Sequence, residues 1–177
     1  MGYRAPANFA PDSYPLDIAT TILSSGQSSL LYRKLVYEDR LATQAQAFGF
    51  FSEDPNLLIF RAIMNQGKTP AEGEKALDAV IEQLKTMPVD ARDLEKAKNQ
   101  QIASIVLRRQ RTQAKAEALG MCAVVGKDVN LVNTELDRYL KVSVADIQKA
   151  AQQYLVPTQR TVLVVETPKE TGKAGAP

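Results

Sequence analysis

Few side chains in this sequence are equipped for covalent chemistry. Histidine is absent and cysteine occurs once, as Cys122. Without histidine the chain cannot build His-ligated zinc, a Ser-His-Asp or Cys-His nucleophile, or a histidine general base. One cysteine also excludes an internal disulfide and a Cys-only zinc site. Cys122 follows Met121 and precedes Ala123-Val124-Val125, so it is expected to be a small buried residue rather than a reactive thiol. Gln66-Gly67-Lys68-Thr69 imitates the end of a phosphate-binding loop, but Ala62 stands where the loop needs its first glycine. Thr69 is better used as a helix cap, and Pro70 removes an amide that could bind phosphate. The basic cluster Arg108-Arg109-Gln110-Arg111 with Lys115 spreads over more than half of a helix circumference, which makes it a solvated face first and an acidic-partner patch second. Glu38-Asp39 and Glu53-Asp54 are neighbours in sequence and do not share a helix face, so they read as cap and turn residues rather than as an acid–base pair.

The elements that carry these residues follow from periodicity and capping. Residues 12–24 are predicted to be a helix with Leu16, Ala19, Thr20 and Leu23 on one face and Pro15 in the first turn. Ser24-Ser25-Gly26-Gln27 breaks it. Ser28 or Ser29 caps a second short helix carrying Leu30, Leu31, Lys34 and Leu35. The period then becomes two over Thr43–Phe51 and Leu57–Met64, around the turn Asp54-Pro55-Asn56, which is the signature of an antiparallel hairpin. Thr69-Pro70-Ala71-Glu72 is a capping box opening a helix with Leu77, Val80, Ile81 and Leu84 inward. Asp90 caps a stretch running toward Gly120, with Leu94, Ala97, Ile102, Ile105 and Val106 inward and a bend expected near Arg109–Thr112. A helix over about 130–140, another opened by Ser143-Val144-Ala145-Asp146 and closed by Pro157, and a terminal strand Arg160–Glu166 complete the order. Tyr3-Arg4-Ala5-Pro6 reads as the stub of a fourth strand, truncated where the chain starts. The predicted class is α+β: a largely antiparallel sheet layered with helices on one face.

Composition sets the frame. Residues are 45% hydrophobic and 24% charged with a net charge of +2, values of an ordinary globule with no charge argument for nucleic acid. The expected organisation is one domain over residues 1–168 and a flexible polar tail over 169–177. No apolar run is long enough to span a bilayer, and the opening residues lack the apolar core of a signal peptide.

Several segments in order resemble a known family. Tyr14-Pro15-Leu16-Asp17-Ile18, Leu23-Ser24-Ser25-Gly26-Gln27-Ser28-Ser29-Leu30-Leu31-Tyr32-Arg33-Lys34-Leu35 and Glu38-Asp39-Arg40-Leu41-Ala42 look like the insulinase (pitrilysin) zinc metallopeptidases, and their second, non-catalytic domain in particular. Gly67-Lys68-Thr69-Pro70-Ala71-Glu72, Asp93-Leu94-Glu95-Lys96-Ala97-Lys98-Asn99-Gln100, Val142-Ser143-Val144-Ala145-Asp146-Ile147-Gln148 and Tyr154-Leu155-Val156-Pro157 continue in register. The resemblance implies a mitochondrial processing peptidase-like fold. It also implies a zinc-bearing N-terminal domain with an H-x-x-E-H motif outside this chain, and a chamber that closes on a peptide substrate between the two. Partners implied are that zinc domain and a homologous partner chain or second copy. Many family members supply an arginine and, seven residues on, a tyrosine to the scissile region; here Val36 and Thr43 hold those places. No catalytic, cofactor or metal residue is therefore assigned to this chain. Tyr37 is set aside because one step on an α-helix turns it about 100° away from Val36. Arg33, Arg40 and Gln44 are the nearest polar candidates for substrate contact. The alternative reading is a non-peptidase assembly subunit of the same ancestry, like the core subunits of respiratory complexes. Family analogy also points to a bacterial exported protein.

Overall fold

The sheet is assembled from strands distant in sequence. In a computed structural model describing residues 1–166, β1 (Gly2–Ala5), β2 (Ala42–Gly49), β3 (Asn56–Met64) and β4 (Arg160–Thr161) lie in the order β2-β3-β1-β4, and every neighbouring pair is antiparallel. The expected stub at the start of the chain is thus a strand, seated between β3 and β4. Alternation divides the two faces of the sheet. Tyr3, Ala5, Ala45, Ala47, Leu58 and Phe60 are buried, whereas Arg4, Gln44, Gln46, Leu57, Arg61 and Ile63 are exposed. The Tyr3 and Phe60 rings meet edge to face at 5.7 Å across the β1–β3 pair.

Helices cover the inward face. α1 (Ser13–Ser24) is buried nearly all round, with Leu16 and Ile18 fully inaccessible, because it is sandwiched between β2 and three further helices. Those are α3 (Ala91–Arg108), α5 (Leu131–Lys141) and α6 (Val144–Tyr154). α2 (Pro70–Thr86) packs on α6 and buries Leu77, Val80, Ile81 and Leu84, the predicted stripe. Both predicted capping boxes close: Thr69 with Glu72, and Ser143 with Asp146. Asp90 caps α3 through the Arg92 N–H at 2.8 Å.

Four expectations need correcting. The long helix does not merely bend; it stops at Arg109, passes through an extended Arg111 and restarts as α4 (Thr112–Val124), so Val106 is 46% exposed and Ile102 only half-buried. Arg109 anchors the break by donating to Glu135 at 2.6 Å and to the Val132 carbonyl at 2.8 Å. The segment Tyr32–Glu38 winds as a π-helix rather than an α-helix, with the Asp39 N–H reaching the Lys34 carbonyl at 3.0 Å. β2 begins at Ala42, with a register irregularity before Gln44, and ends at Gly49 rather than Phe51. The terminal strand ends at Thr161, where its register with β1 ends at Gly2. The predicted tail, 169–177, lies outside the described residues. Among the described residues no helix is long and apolar enough to cross a membrane.

Candidate functional site

The corner between the π-helical segment and β2 is where the sequence placed its candidates. The wide turn of Tyr32–Glu38 is closed by Arg40 in the left-handed conformation, φ 52°. The Leu41 N–H returns to the Leu35 carbonyl at 2.9 Å, and Asn65 fixes the corner from β3's end, its amide donating to the Arg40 carbonyl at 2.8 Å. Leu35 is fully buried and pins the segment to the core. Between the segment and the strand lies an open cavity of about 650 Å³, lined by Tyr32, Val36, Tyr37, Arg40, Thr43 and Asn65 among others.

Val36 and Thr43 therefore line one cavity, although seven positions separate them. Of the three polar candidates, Arg40 is the one at the cavity wall. Arg33 is engaged within its own segment, 3.8 Å from Glu38, and Gln44 stands on the exposed sheet face opposite Ile63. Tyr37, set aside in the sequence reading, lines the cavity and is 74% exposed. The segment that carries it winds as a π-helix rather than an α-helix, and nothing in the local sequence announces that winding. Lys34 holds Asp39 at 3.1 Å and Glu38 at 3.6 Å; the hydrogen bond to Asp39 keeps its ammonium above the ordinary lysine range. The paired acids Glu38-Asp39 are thereby absorbed in ion pairs, as Glu53 is by Lys127 at 3.0 Å.

Chemically the corner offers aromatic faces, a guanidinium, an amide and the Thr43 hydroxyl, which donates to the Ile63 carbonyl at 3.2 Å. That set can bind and orient a peptide through hydrogen bonds and apolar contact, and it contains no activated nucleophile or base. The described residues offer no site that fits a zinc ion. Among the described residues no three of His, Cys, Asp and Glu come together, and Cys122 is a buried thiol whose pKa is raised by desolvation.

A second polar constellation lies inside the helix layer. The Asp17 carboxylate on α1 accepts from the Tyr139 hydroxyl of α5 at 2.7 Å and from Gln101 of α3. Burial raises the Asp17 pKa, against the opposing pull of those two hydrogen bonds and of Arg108. The Tyr139 ring meets Tyr14 edge to face at 5.0 Å, and the Arg138 guanidinium lies over Tyr14 at 5.6 Å. This joint ties three helices together behind the sheet.

Comparison with known proteins places this architecture. Residues 1–101 match the model of the peptidase M16 inactive domain. The chain is 27% identical to the zinc protease PqqE of Helicobacter pylori over 168 residues, which are 94% of this chain and 37% of that protein. It thus spans little more than a third of that relative's length. It superposes on the crystal structure of a protease from Helicobacter pylori with a TM-score of 0.81 at 27% identity, covering 89% of this chain and 38% of that one. It superposes on the inactive peptidase domain from Bordetella parapertussis with a TM-score of 0.84 at 29% identity, covering 97% and 92% of the two chains.

Proposed function

The chain belongs to the family of peptidase M16 inactive domains, and from that premise we propose that it is the substrate-enclosing, non-catalytic C-terminal domain of a zinc-dependent metallopeptidase. The zinc and its ligands reside in a preceding domain, and this domain closes the chamber opposite them. One observation carries the reading: a match to the inactive domain in a chain that contains no histidine. The corner cavity supports it. A peptide held there meets the Tyr37 ring and the Arg40 guanidinium instead of the arginine–tyrosine pair of many relatives. Val36 cannot donate a hydrogen bond, so the contribution to transition-state charge is small and the contribution to peptide binding dominates.

The test uses the chain by itself. Dialysed against zinc-containing buffer and then against chelator-free buffer, it is expected to retain no stoichiometric zinc and to leave a fluorogenic peptide library uncut. One equivalent of retained zinc together with peptide turnover overturns the proposal.

A further inference from the structure

Where α3 stops and α4 restarts, the break leaves a cavity of about 380 Å³. Small-molecule sites typically measure about 300–1,000 Å³, so the cavity suits a small ligand. It shares no lining residue with the corner cavity beside β2. Its apolar wall is gathered from four places: Phe9 after β1, Phe51 after β2, Ile105 of α3 and Met121 of α4. Specific contacts hold that wall in position. Phe9 is left-handed, φ 63°, a backbone state that is costly for a bulky side chain. Arg138 fixes it by donating to the Phe9 carbonyl at 3.3 Å. The Asn8 N–H donates to the Ser52 carbonyl at 2.7 Å, which ties the loop of Phe9 to the loop of Phe51.

Four charged groups line the same cavity: Arg108, Arg109, Glu117 and Glu135. Arg109 and Glu135 neutralise each other at 2.6 Å. The other two are unanswered. Among the described residues Arg108 makes no ion pair, and Glu117 accepts from the Gln113 amide at 2.9 Å but meets no cation. Arg108 ends α3 and Glu117 lies in α4, so an open cation and an open anion line one apolar cavity from the two helices beside the break. A simple anion would satisfy Arg108 and be repelled by Glu117, and a simple cation the reverse. A ligand with an apolar body and one charge of each sign satisfies both. The two open groups stand too far apart to pair with each other. The ligand's own charges must therefore be separated, as they are at the ends of a short peptide and are not in a free amino acid. We propose that this cavity binds a short apolar peptide with free ends. Its carboxylate rests on Arg108, its ammonium on Glu117, and its side chains lie among Phe9, Phe51 and Met121. The site does not rest on the reading of this chain as part of a zinc enzyme.

The experiment titrates the full chain with the dipeptide leucyl-phenylalanine in a calorimeter. Saturable one-to-one binding at millimolar concentration or below is expected. Its N-acetylated form and its C-amidated form should each bind at least about tenfold more weakly, because each removes one charge. The unmodified dipeptide should weaken by a similar factor on Arg108→Gln and on Glu117→Gln. Arg108 also lowers the pKa of Asp17, so its removal touches the joint behind the sheet. The capped dipeptides leave the protein unaltered and separate a lost ligand contact from a disturbed joint. Ala118→Leu narrows the cavity while keeping both charges, and should weaken binding as well. Absence of binding at millimolar dipeptide overturns the proposal. So does binding that the capped forms reproduce, binding unchanged by Ala118→Leu, or binding of free phenylalanine as tight as that of the dipeptide.

Discussion

Replacing Tyr139 by phenylalanine removes one oxygen and leaves the ring against Tyr14. The lost contact is the hydrogen bond to Asp17 at 2.7 Å, in a residue only 8% exposed. Asp17 keeps Gln101 as a partner, but its carboxylate is then under-satisfied in a half-buried position. A hydrogen bond to a charged group is worth about 1.5–3 kcal/mol, so a loss of about 2 kcal/mol is expected. At this chain length that lowers Tm by about 4–8 °C. The penalty is tied to charge. Burial raises the Asp17 pKa above its ordinary value of 3.8, so the folded state binds this proton more tightly than the unfolded state does. Stability from that proton is fully present below the ordinary value. It is lost as pH rises through the folded value. The Tyr139→Phe penalty is therefore full where the Asp17 carboxylate is ionised and shrinks as acid protonates it, because the protonated carboxyl accepts a weaker bond. In an Asp17→Asn background the same change should cost only about 1 kcal/mol, the worth of a neutral hydrogen bond. Urea denaturation of the four proteins of this cycle at pH 7 measures both numbers. A Tyr139→Phe penalty below about 0.5 kcal/mol, or one identical in the two backgrounds, refutes the charged joint.

Other outcomes follow from particular contacts. Arg40→Gly relieves a left-handed backbone at φ 52° and should raise stability by up to about 1 kcal/mol after glycine's own entropic cost, whereas Arg40→Val should lower it; thermal denaturation reads both. Ser143→Ala removes the cap of α6 and should cost about 1 kcal/mol by the same assay. Arg160 holds β4 to α2 through Glu74 at 2.6 Å and through Asp78; Arg160→Ala should cost about 1 kcal/mol and speed amide exchange at Thr161. Phe60→Ala, in a fully buried site, should cost about 3–5 kcal/mol and leave the domain marginally folded in urea titration.

The contrast between two kinds of residue explains what the sequence could disclose. Thr69 with Glu72, and Ser143 with Asp146, are local: cap and partner are three residues apart, so the helix starts could be read and both boxes form. The hairpin β2–β3 was legible for the same reason, its alternation and its turn lying in one stretch. Asp17 was not. It sits mid-helix among apolar residues, and only the approach of α3 and α5 makes it a buried joint. Tyr37 was set aside on an α-helical step, but it lines the cavity, and the segment that carries it is a π-helix. The end of β4 at Thr161 was likewise not legible, since Val162–Val165 have strand composition yet pair with no strand among the described residues. Resemblance to the family located the cavity corner, and the backbone decided which side chains line it.

Complementation by a zinc-bearing half tests the central claim most directly. Peptide hydrolysis by the H-x-x-E-H domain proposed to precede this chain is measured alone and with this chain added at increasing ratios. A saturable rise in kcat/KM that reaches its plateau near one equivalent, with a higher KM when the added chain carries Tyr37→Ala, is the predicted result. Full activity of the zinc domain alone, unaltered by any amount of this chain, would contradict the account.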